Sequence, residues 1–213
     1  MTKVIKLRKG LDINLKGTAC KGTISTLKSG EYALVPESFC GVIPKVVVHE
    51  GDKVKAGEAL FVSKKYPEVK FSSPVSGIVE GILRGERRKV LYVKIKADEE
   101  QEFVDFGLKN VESLDAEAVK KALLDAGLFG YINQLPYAVS TTPDTEPKAI
   151  FVSAFRDMPL ASDFEVELEG NEKDFQTGLT ALSKIQNTYL GISSKQTAKA
   201  LVDAKDVEIN IFD

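Results

Sequence analysis

Between residues 42 and 79 the chain runs Val-Ile-Pro-Lys-Val-Val-Val-His-Glu-Gly-Asp-Lys-Val-Lys-Ala-Gly-Glu-Ala-Leu-Phe-Val-Ser, then a lysine-bearing tip, then Ser-Ser-Pro-Val-Ser-Gly-Ile-Val. No other stretch restricts the possible folds as strongly. Val42, Val46, Val47 and Val48 fall in short β-branched runs, and turns are marked at Glu50-Gly51-Asp52 and Ala56-Gly57-Glu58. Glycine at these two turns permits the positive φ that a tight reversal needs. A strand is expected over Ala59 to Ser63, a turn at Pro74 to Gly77, and a strand reaching Leu83. After a charged hairpin tip, Leu91, Val93 and Ile95 alternate as the inward positions of another strand. Short strands with a turn every eight to twelve residues or so imply a small β barrel or sandwich over residues 1–98.

The pattern changes further on. In Ser-Leu-Asp-Ala-Glu-Ala-Val-Lys-Lys-Ala-Leu-Leu-Asp-Ala-Gly (113–127) the apolar residues recur at helical spacing. Ser113 is placed to cap this helix, Asp115 and Glu117 suit its positive end, and Gly127 suits its stop. Residues 128–147 lack a sustained period. Strands over 148–154, at Thr-Tyr-Leu-Gly-Ile (188–192) and at Val-Glu-Ile-Asn-Ile-Phe (207–212) alternate with two helices. One helix carries Phe175, Leu179, Leu182 and Ile185 on one face; the other is read from Ser-Lys-Gln-Thr-Ala-Lys-Ala-Leu-Val-Asp-Ala (194–204). Such alternation implies a parallel α/β layer. The expected organisation is a β domain at 1–98, a linker, helix and irregular loop at 99–147, and a partial Rossmann-like α/β layer at 148–213. The acidic run Ala-Asp-Glu-Glu-Gln-Glu (97–102) reads as a solvated linker. A three-stranded layer with two crossover helices would leave apolar surface uncovered, so the chain is expected to be the N-terminal piece of a longer protein.

Composition removes several function classes. A net charge of −2 with 43% apolar and 28% charged residues describes an ordinary globular chain and gives no footprint for nucleic acid. Cys20 and Cys40 match no metal-ligand spacing and are expected to be free thiols, and no metal is assigned to this chain. Neither a signal peptide nor an apolar run of membrane-spanning length is present in the sequence. The one histidine, His49, sits beside Glu50 at a strand end without a nucleophile nearby in sequence, and reads as a surface residue rather than a general base. No G-x-G-x-x-G or G-x-x-x-x-G-K-[ST] run occurs. The nearest approach is Gly191, Ser193, Ser194 and Lys195 leading into a helix N-terminus, which can hold an anion on free N–H groups or simply be capped. No autonomous catalytic constellation is found.

The opening stretch resembles the biotinyl/lipoyl barrel-sandwich hybrid fold, in which a lysine on a hairpin tip carries a swinging cofactor. In the carriers that lysine stands about eight residues before the proline of the Pro-x-x-Gly turn. Here that place before Pro74 is Tyr66, while Lys65 and Lys64 stand nine and ten before it. A one-residue offset moves a side chain to the other face of a strand. Neither lysine has a carrier's flanking residues, and Pro67 stiffens the tip. A biotin or lipoyl carrier is therefore the alternative reading, and a solvated cationic tip the simpler one. A second cationic tip is denser: Arg84, Gly85, Glu86, Arg87, Arg88 and Lys89 gather three of the chain's five arginines, suited to clamping carboxylate or phosphate, with Glu86 able to pair with a neighbour.

Together with the opening Lys-Leu-Arg-Lys-Gly-Leu-Asp-Ile-Asn-Leu-Lys-Gly (6–17), the Arg-Gly-Glu-Arg-Arg-Lys-Val run and Phe-Gln-Thr-Gly-Leu-Thr-Ala-Leu-Ser-Lys-Ile (175–185), these features resemble the NqrA family, which belongs to the Na⁺-translocating NADH:quinone reductases (Nqr). The resemblance implies a peripheral component on the cytoplasmic face of a bacterial inner membrane, attached through its partners, the other Nqr subunits. It implies that NADH, the flavins FMN and FAD, a 2Fe-2S cluster and the ubiquinone or menaquinone sites belong mainly to those subunits, that no cofactor is bound by this chain, and that Na⁺ is the translocated ion. Docking is then expected through Arg84, Gly85, Glu86, Arg87 and Arg88 and through Lys64 and Lys65, with no catalysis by the isolated chain. A further alternative is a flavin- or nucleotide-binding domain, since the family is similar to a component of the Rnf complex and to the NADH-binding flavoprotein of complex I. The family's Arg-x-Arg-Pro-aromatic segment reads Asn133-Gln134-Leu135-Pro136-Tyr137 here, so Pro136 and Tyr137 are kept as quinone-proximal positions and both arginines are missing.

Overall fold

The computed structural model describes residues 3–6, 16–17, 25, 27–107, 110–156, 158 and 160–213. In chain order the strands are β1 (Lys3–Ile5), β2 (Glu31–Leu34), β3 (Pro44–Val46), β4 (Lys53–Val54), β5 (Ala59–Ser63), β6 (Lys70–Ser72), β7 (Gly77–Arg84), β8 (Val90–Ala97), β9 (Asn133–Gln134), β10 (Val139–Ser140), β11 (Ile150–Ala154), β12 (Thr188–Ser193) and β13 (Glu208–Phe212). The helices are α1 (Ala116–Asp125), α2 (Phe164–Leu168), α3 (Glu172–Ile185) and α4 (Lys199–Val202). The chain divides into a β unit, 26–108 with 120–145, and an α/β unit, 1–25 with 109–119 and 146–213.

In the β unit two antiparallel sheets, β2-β8-β7-β4 and β3-β5-β6, enclose one core. This is the expected barrel-sandwich hybrid. Its β5 is buried from Leu60 through Ser63, because that strand is central in its sheet and covered on both sides. Phe61 stacks on Phe71 with ring centroids 4.8 Å apart, and Phe39 lies 4.3 Å from Phe71. Gly51 and Gly57 take φ of +90° and +93°, as the two turns require. The expected alternation of β8 fails at one place. A register shift between Leu83 and Arg84 makes Val90, not Leu91, the buried partner of Val93 and Ile95. Leu91 instead packs against Gly85, where an added Cβ would lie 3.3 Å from its methyl groups.

Two parts of the expected linker belong to this unit. The Ala56 N–H donates to the Glu102 carbonyl (2.9 Å), the Val104 N–H donates to the Ala56 carbonyl (2.9 Å), and the Glu102 N–H donates to Ser76 Oγ (2.9 Å). Glu102 also pairs with Lys53 at 2.8 Å and Lys55 at 3.4 Å, so the acidic run is pinned to the sheet and not a free tether. Lys53, by hydrogen bond and by charge, and then Lys55 hold the Glu102 carboxyl below its ordinary range. Downstream, Leu123 and Leu124 of α1 and buried Phe129 complete the core. Helix α1 is capped by Asp115, whose carboxylate accepts from the Ala118 N–H at 2.8 Å. Ser113, the expected cap, lies in a preceding 3₁₀ turn and donates to the Asn110 carbonyl instead. The helix stops at Gly127 (φ +72°), where N–H groups of Gly127 and Leu128 return to the carbonyls of Leu124 and Leu123.

The α/β unit contains one parallel sheet in the order β1-β13-β12-β11. The sequence predicts three of these strands; the fourth is β1, and Lys3, Val4 and Ile5 register with Asn210, Ile211 and Phe212. A β-branched run three residues long gives no sign in sequence of which sheet it will join. Val152, Ala154, Leu190, Ile192, Ile209 and Ile211 form the core face, against Phe175 and Leu179 of α3 and Leu201 of α4. The adjoining strand positions turn the other way and carry Phe151 stacked on Tyr189 at 5.5 Å. α4 has only four residues, shorter than its sequence pattern predicts, and α2 is an additional short helix.

Candidate docking surface

Loops, tips and strand ends hold most of the described residues singled out in the sequence. The first tip lies between β5 and β6. The Ser63 N–H donates to the Val69 carbonyl (2.9 Å), Val69 N–H to the Tyr66 carbonyl (2.9 Å), and Lys64 N–H to the Ile43 carbonyl (2.8 Å). Lys64 and Lys65 are exposed, and the Lys65 ammonium rests 4.8 Å from the centre of the Tyr66 ring. A hydrogen bond to Tyr66, the largest cause, pushes the Lys65 ammonium above its ordinary value. Tyr66 packs against the core and donates its phenol to Asp144 Oδ2 at 2.8 Å. Thr142 and then Tyr66 hold the Asp144 carboxyl below its ordinary range.

The short β9–β10 hairpin, which includes residues 133–140, belongs to the β unit. Its loop has a cis Leu135–Pro136 bond and Ala138 at φ +51°, and Tyr137 is 82% exposed. Between this segment and the first tip lies a cavity of about 240 Å³, lined by Val42, Ile43, Lys65, Tyr66, Val139 and Thr141 among others. Pro136 and Tyr137 do not line it.

The second tip closes β7 onto β8. The Lys89 N–H donates to the Glu86 carbonyl (3.1 Å), and the Gly85 N–H donates to the Lys89 carbonyl (2.8 Å). Both residues between Glu86 and Lys89 have positive φ: Arg87 at 53° and Arg88 at 59°. This is the signature of a type I′ turn, the reversal that suits the twist of a two-stranded ribbon. Gly85 itself has φ −95°. Its smallness serves the contact with Leu91. Arg84, Glu86, Arg87 and Arg88 are all exposed, and Leu83 beside them is 45% exposed. Arg84 Nη1 reaches the Arg88 carbonyl at 3.4 Å. Among the described residues the ion pair of this tip is Lys89 with Glu37, 3.2 Å, rather than one made by Glu86.

The anion-site candidate spans the end of a strand and the loop after it. Gly191 and Ser193 lie within β12, with Gly191 registered between Ser153 and Asn210. The following helix begins only at Lys199 and spans four residues, so Ser194 and Lys195 face no helix N-terminus; Ser194 Oγ donates to Asp213 at 2.8 Å. His49 stands exposed beside Asp52, whose carboxylate accepts the His49 N–H at 2.7 Å and caps the Gly51 turn. Cys40 is an exposed free thiol, and Cys20 lies outside the described residues. Among the described residues no group of three or more His, Cys, Asp and Glu is placed to hold a metal, and no helix is long and apolar enough to cross a membrane. Sequence reasoning missed the Tyr66–Asp144 link, which joins positions far apart in the chain, and the two left-handed arginines, whose residue type argues against that conformation.

Comparison with known families gives two matches. Residues 5–98 match the NqrA N-terminal barrel-sandwich hybrid domain, and residues 114–213 match the NqrA second alpha/beta domain. The chain is similar to the NqrA subunit of Na(+)-translocating NADH-quinone reductase from Actinobacillus pleuropneumoniae serotype 5b (strain L20), 38% identical over 186 residues, covering 86% of this chain and 41% of the relative. It is similar to proteins of the same name from Yersinia pestis, at 35% over 188 residues (85% and 41%), and from Pseudomonas aeruginosa (strain UCBPP-PA14), at 33% over 189 residues (88% and 42%). The chain thus spans about two fifths of the length of these relatives.

Proposed function

The chain belongs to the NqrA family, and on that footing we propose that it serves as a peripheral, non-catalytic docking part of a Na⁺-translocating NADH:quinone reductase. Its relatives are named for the NqrA component of that reductase. The redox steps, with NADH, flavins, a 2Fe-2S cluster and quinone, are assigned to other subunits, and the chain sits on the cytoplasmic face of the membrane through those partners. Its contacts are the two cationic tips: Lys64 and Lys65 on one, and Arg84 to Arg88 on the other. Quinone proximity is assigned to Pro136 and Tyr137, which stand exposed or half-exposed on the β9–β10 loop.

One observation carries this reading. The fold is that of a swinging-arm carrier, yet the carrier position is Tyr66, packed on the core and hydrogen-bonded to Asp144. A side chain held at both ends cannot swing. What remains available on the tip is exposed positive charge, which steers and orients a docking encounter. The test is co-purification. Tagged chain expressed in its own host is solubilised with mild detergent, and the eluate is assayed for Na⁺-stimulated NADH:quinone reductase activity. Expected is co-elution of the activity with the tag; a chain that fractionates wholly apart from it refutes the assignment.

A further inference from the structure

The Glu86–Lys89 turn is built from residues that its geometry disfavours. A type I′ turn needs positive φ at both central positions and selects Asn-Gly there, because a Cβ crowds the following carbonyl in that conformation. Here both positions are arginine, at φ 53° and 59°. No packing explains the choice: both side chains are exposed, and no carboxylate pairs with Arg84, Arg87 or Arg88 among the described residues. Strained backbone that its own surroundings do not repay points to a function for the side chains.

From this we infer that the turn seats on the anionic phospholipid headgroups of a bilayer. The inference rests on the docking reading above and departs from it at this tip, which meets the bilayer itself and leaves the partner subunits to the β5–β6 tip. The guanidinium fork matches phosphate oxygens two at a time. Three guanidiniums gathered at an exposed hairpin tip suit an extended anionic plane, whereas a specific protein segment is held in a groove, and the cavities beside the β5–β6 tip and beside Leu83 on β7 do not take in residues 84–89. Leu83, 45% exposed at the base of the tip, adds apolar contact for the interfacial layer. Lys89 is engaged by Glu37, so three arginines against the one Glu86 carboxylate are the charges that approach the surface.

Protein-free vesicles test this directly. The chain is co-sedimented with vesicles one-third phosphatidylglycerol and, separately, with pure phosphatidylcholine. Each basic residue near an anionic surface contributes about a fivefold gain in partitioning, so Arg87→Asn with Arg88→Gly is expected to weaken binding about 30-fold. Binding is expected to fall between about 0.05 and 0.5 M salt. Arg87→Lys with Arg88→Lys keeps the charge and is expected to keep most of the binding. Arg84→Gln keeps both residues of the turn apex and removes one guanidinium with its contact to the Arg88 carbonyl, and its expected loss of about fivefold carries the test should the double variant not fold. Equal sedimentation with both vesicles, or full binding by Arg84→Gln and the Asn-Gly variant, overturns the inference. So does binding that appears only on membranes bearing other proteins, which would assign the tip to an acidic protein surface. Co-purification with the reductase is unaffected by these outcomes, so the two readings fail separately.

Discussion

Gly77 closes the Pro-x-x-Gly turn and opens β7, and replacing it with alanine gives the sharpest test of the β unit. A Cβ built there would overlap the Lys96 carbonyl oxygen and lie 2.9 Å from the Lys96 carbonyl carbon and 3.0 Å from the Ala97 Cα. All three atoms are backbone, so no side chain can move aside. Relief requires β7 and β8 to separate by roughly an ångström where Gly77 registers with Ala97. That separation breaks about two hydrogen bonds at about 1 kcal/mol each, and overpacking adds about 1–3 kcal/mol. The expected loss is about 3–5 kcal/mol, lowering the melting midpoint by about 10–20 °C. Gly81→Ala is the matched control on the same strand, because the nearest atom to its Cβ is the Glu50 carboxylate at 4.0 Å. Its expected effect is within about 0.5 kcal/mol. Urea unfolding followed by circular dichroism reads both. Near-equal stabilities for the two variants would refute the claim that close backbone approach, and not turn flexibility, is what requires glycine at 77.

Arg87→Asn with Arg88→Gly is expected to stabilise the fold by about 1–2 kcal/mol in urea, since left-handed backbone costs about that much for a residue with a Cβ; a loss of stability would show that the arginines have a packing role. Asp115→Ala removes the α1 cap and is expected to cost about 1 kcal/mol, with Ser113→Ala costing less than half of that, both measured by chemical denaturation. Asp144 is expected to titrate, by carbon-detected NMR, with a midpoint below the ordinary 3.8, and Tyr66→Phe to move that midpoint upward. Its folded value is the lower one, so its contribution to stability is complete above the unfolded value and is lost as pH falls through the folded one. Intact mass of the chain purified from its own host is expected to match the bare sequence; a biotin or lipoate increment on Lys64 or Lys65 would restore the carrier reading.

Turn chemistry and periodicity are reliable guides in this chain where neighbours in sequence are also neighbours in space. Gly51, Gly57 and Gly127 take the left-handed conformations their positions suggest, and α3 and the strands at β11 to β13 lie where apolar spacing places them. The failures are local preferences overruled by a strand partner, by a distant ion pair or by where a helix starts. Leu91 loses its inward place because a bulge shifts β8 against β7. Ser113 and Asp115 are equally good caps by residue type, and only the start of α1 at Ala116 decides between them. The 97–102 run reads as solvent-facing by charge, yet Lys53, Lys55 and Ser76 bind it. The pattern at 194–204 reads as one helix, yet α4 spans only Lys199–Val202.

Comparison of the two tips bears on how a carrier fold loses its cargo. A swinging arm needs a tip with few ties beyond its own hairpin. The β5–β6 tip has the reverse: Lys64 is tied to Ile43 through the backbone, and Tyr66 is tied to Asp144 across 78 positions of chain. Such long-range ties restrict the loop far more than its internal turn bonds do, because each closes a large part of the chain around it. The β7–β8 tip, in contrast, is held mainly by its own turn bonds and one ion pair, and it accepts two strained arginines at its apex. A tip that meets a surface gains from being fixed, since ordering then costs little at the moment of contact. By that criterion the first hairpin suits a wall of the β unit better than an arm, and the second presents charge on a pre-set frame. Adding mobility to the first tip alone, as in Tyr66→Ala, would therefore not recreate a carrier, because the lysine register relative to Pro74 would remain one residue out.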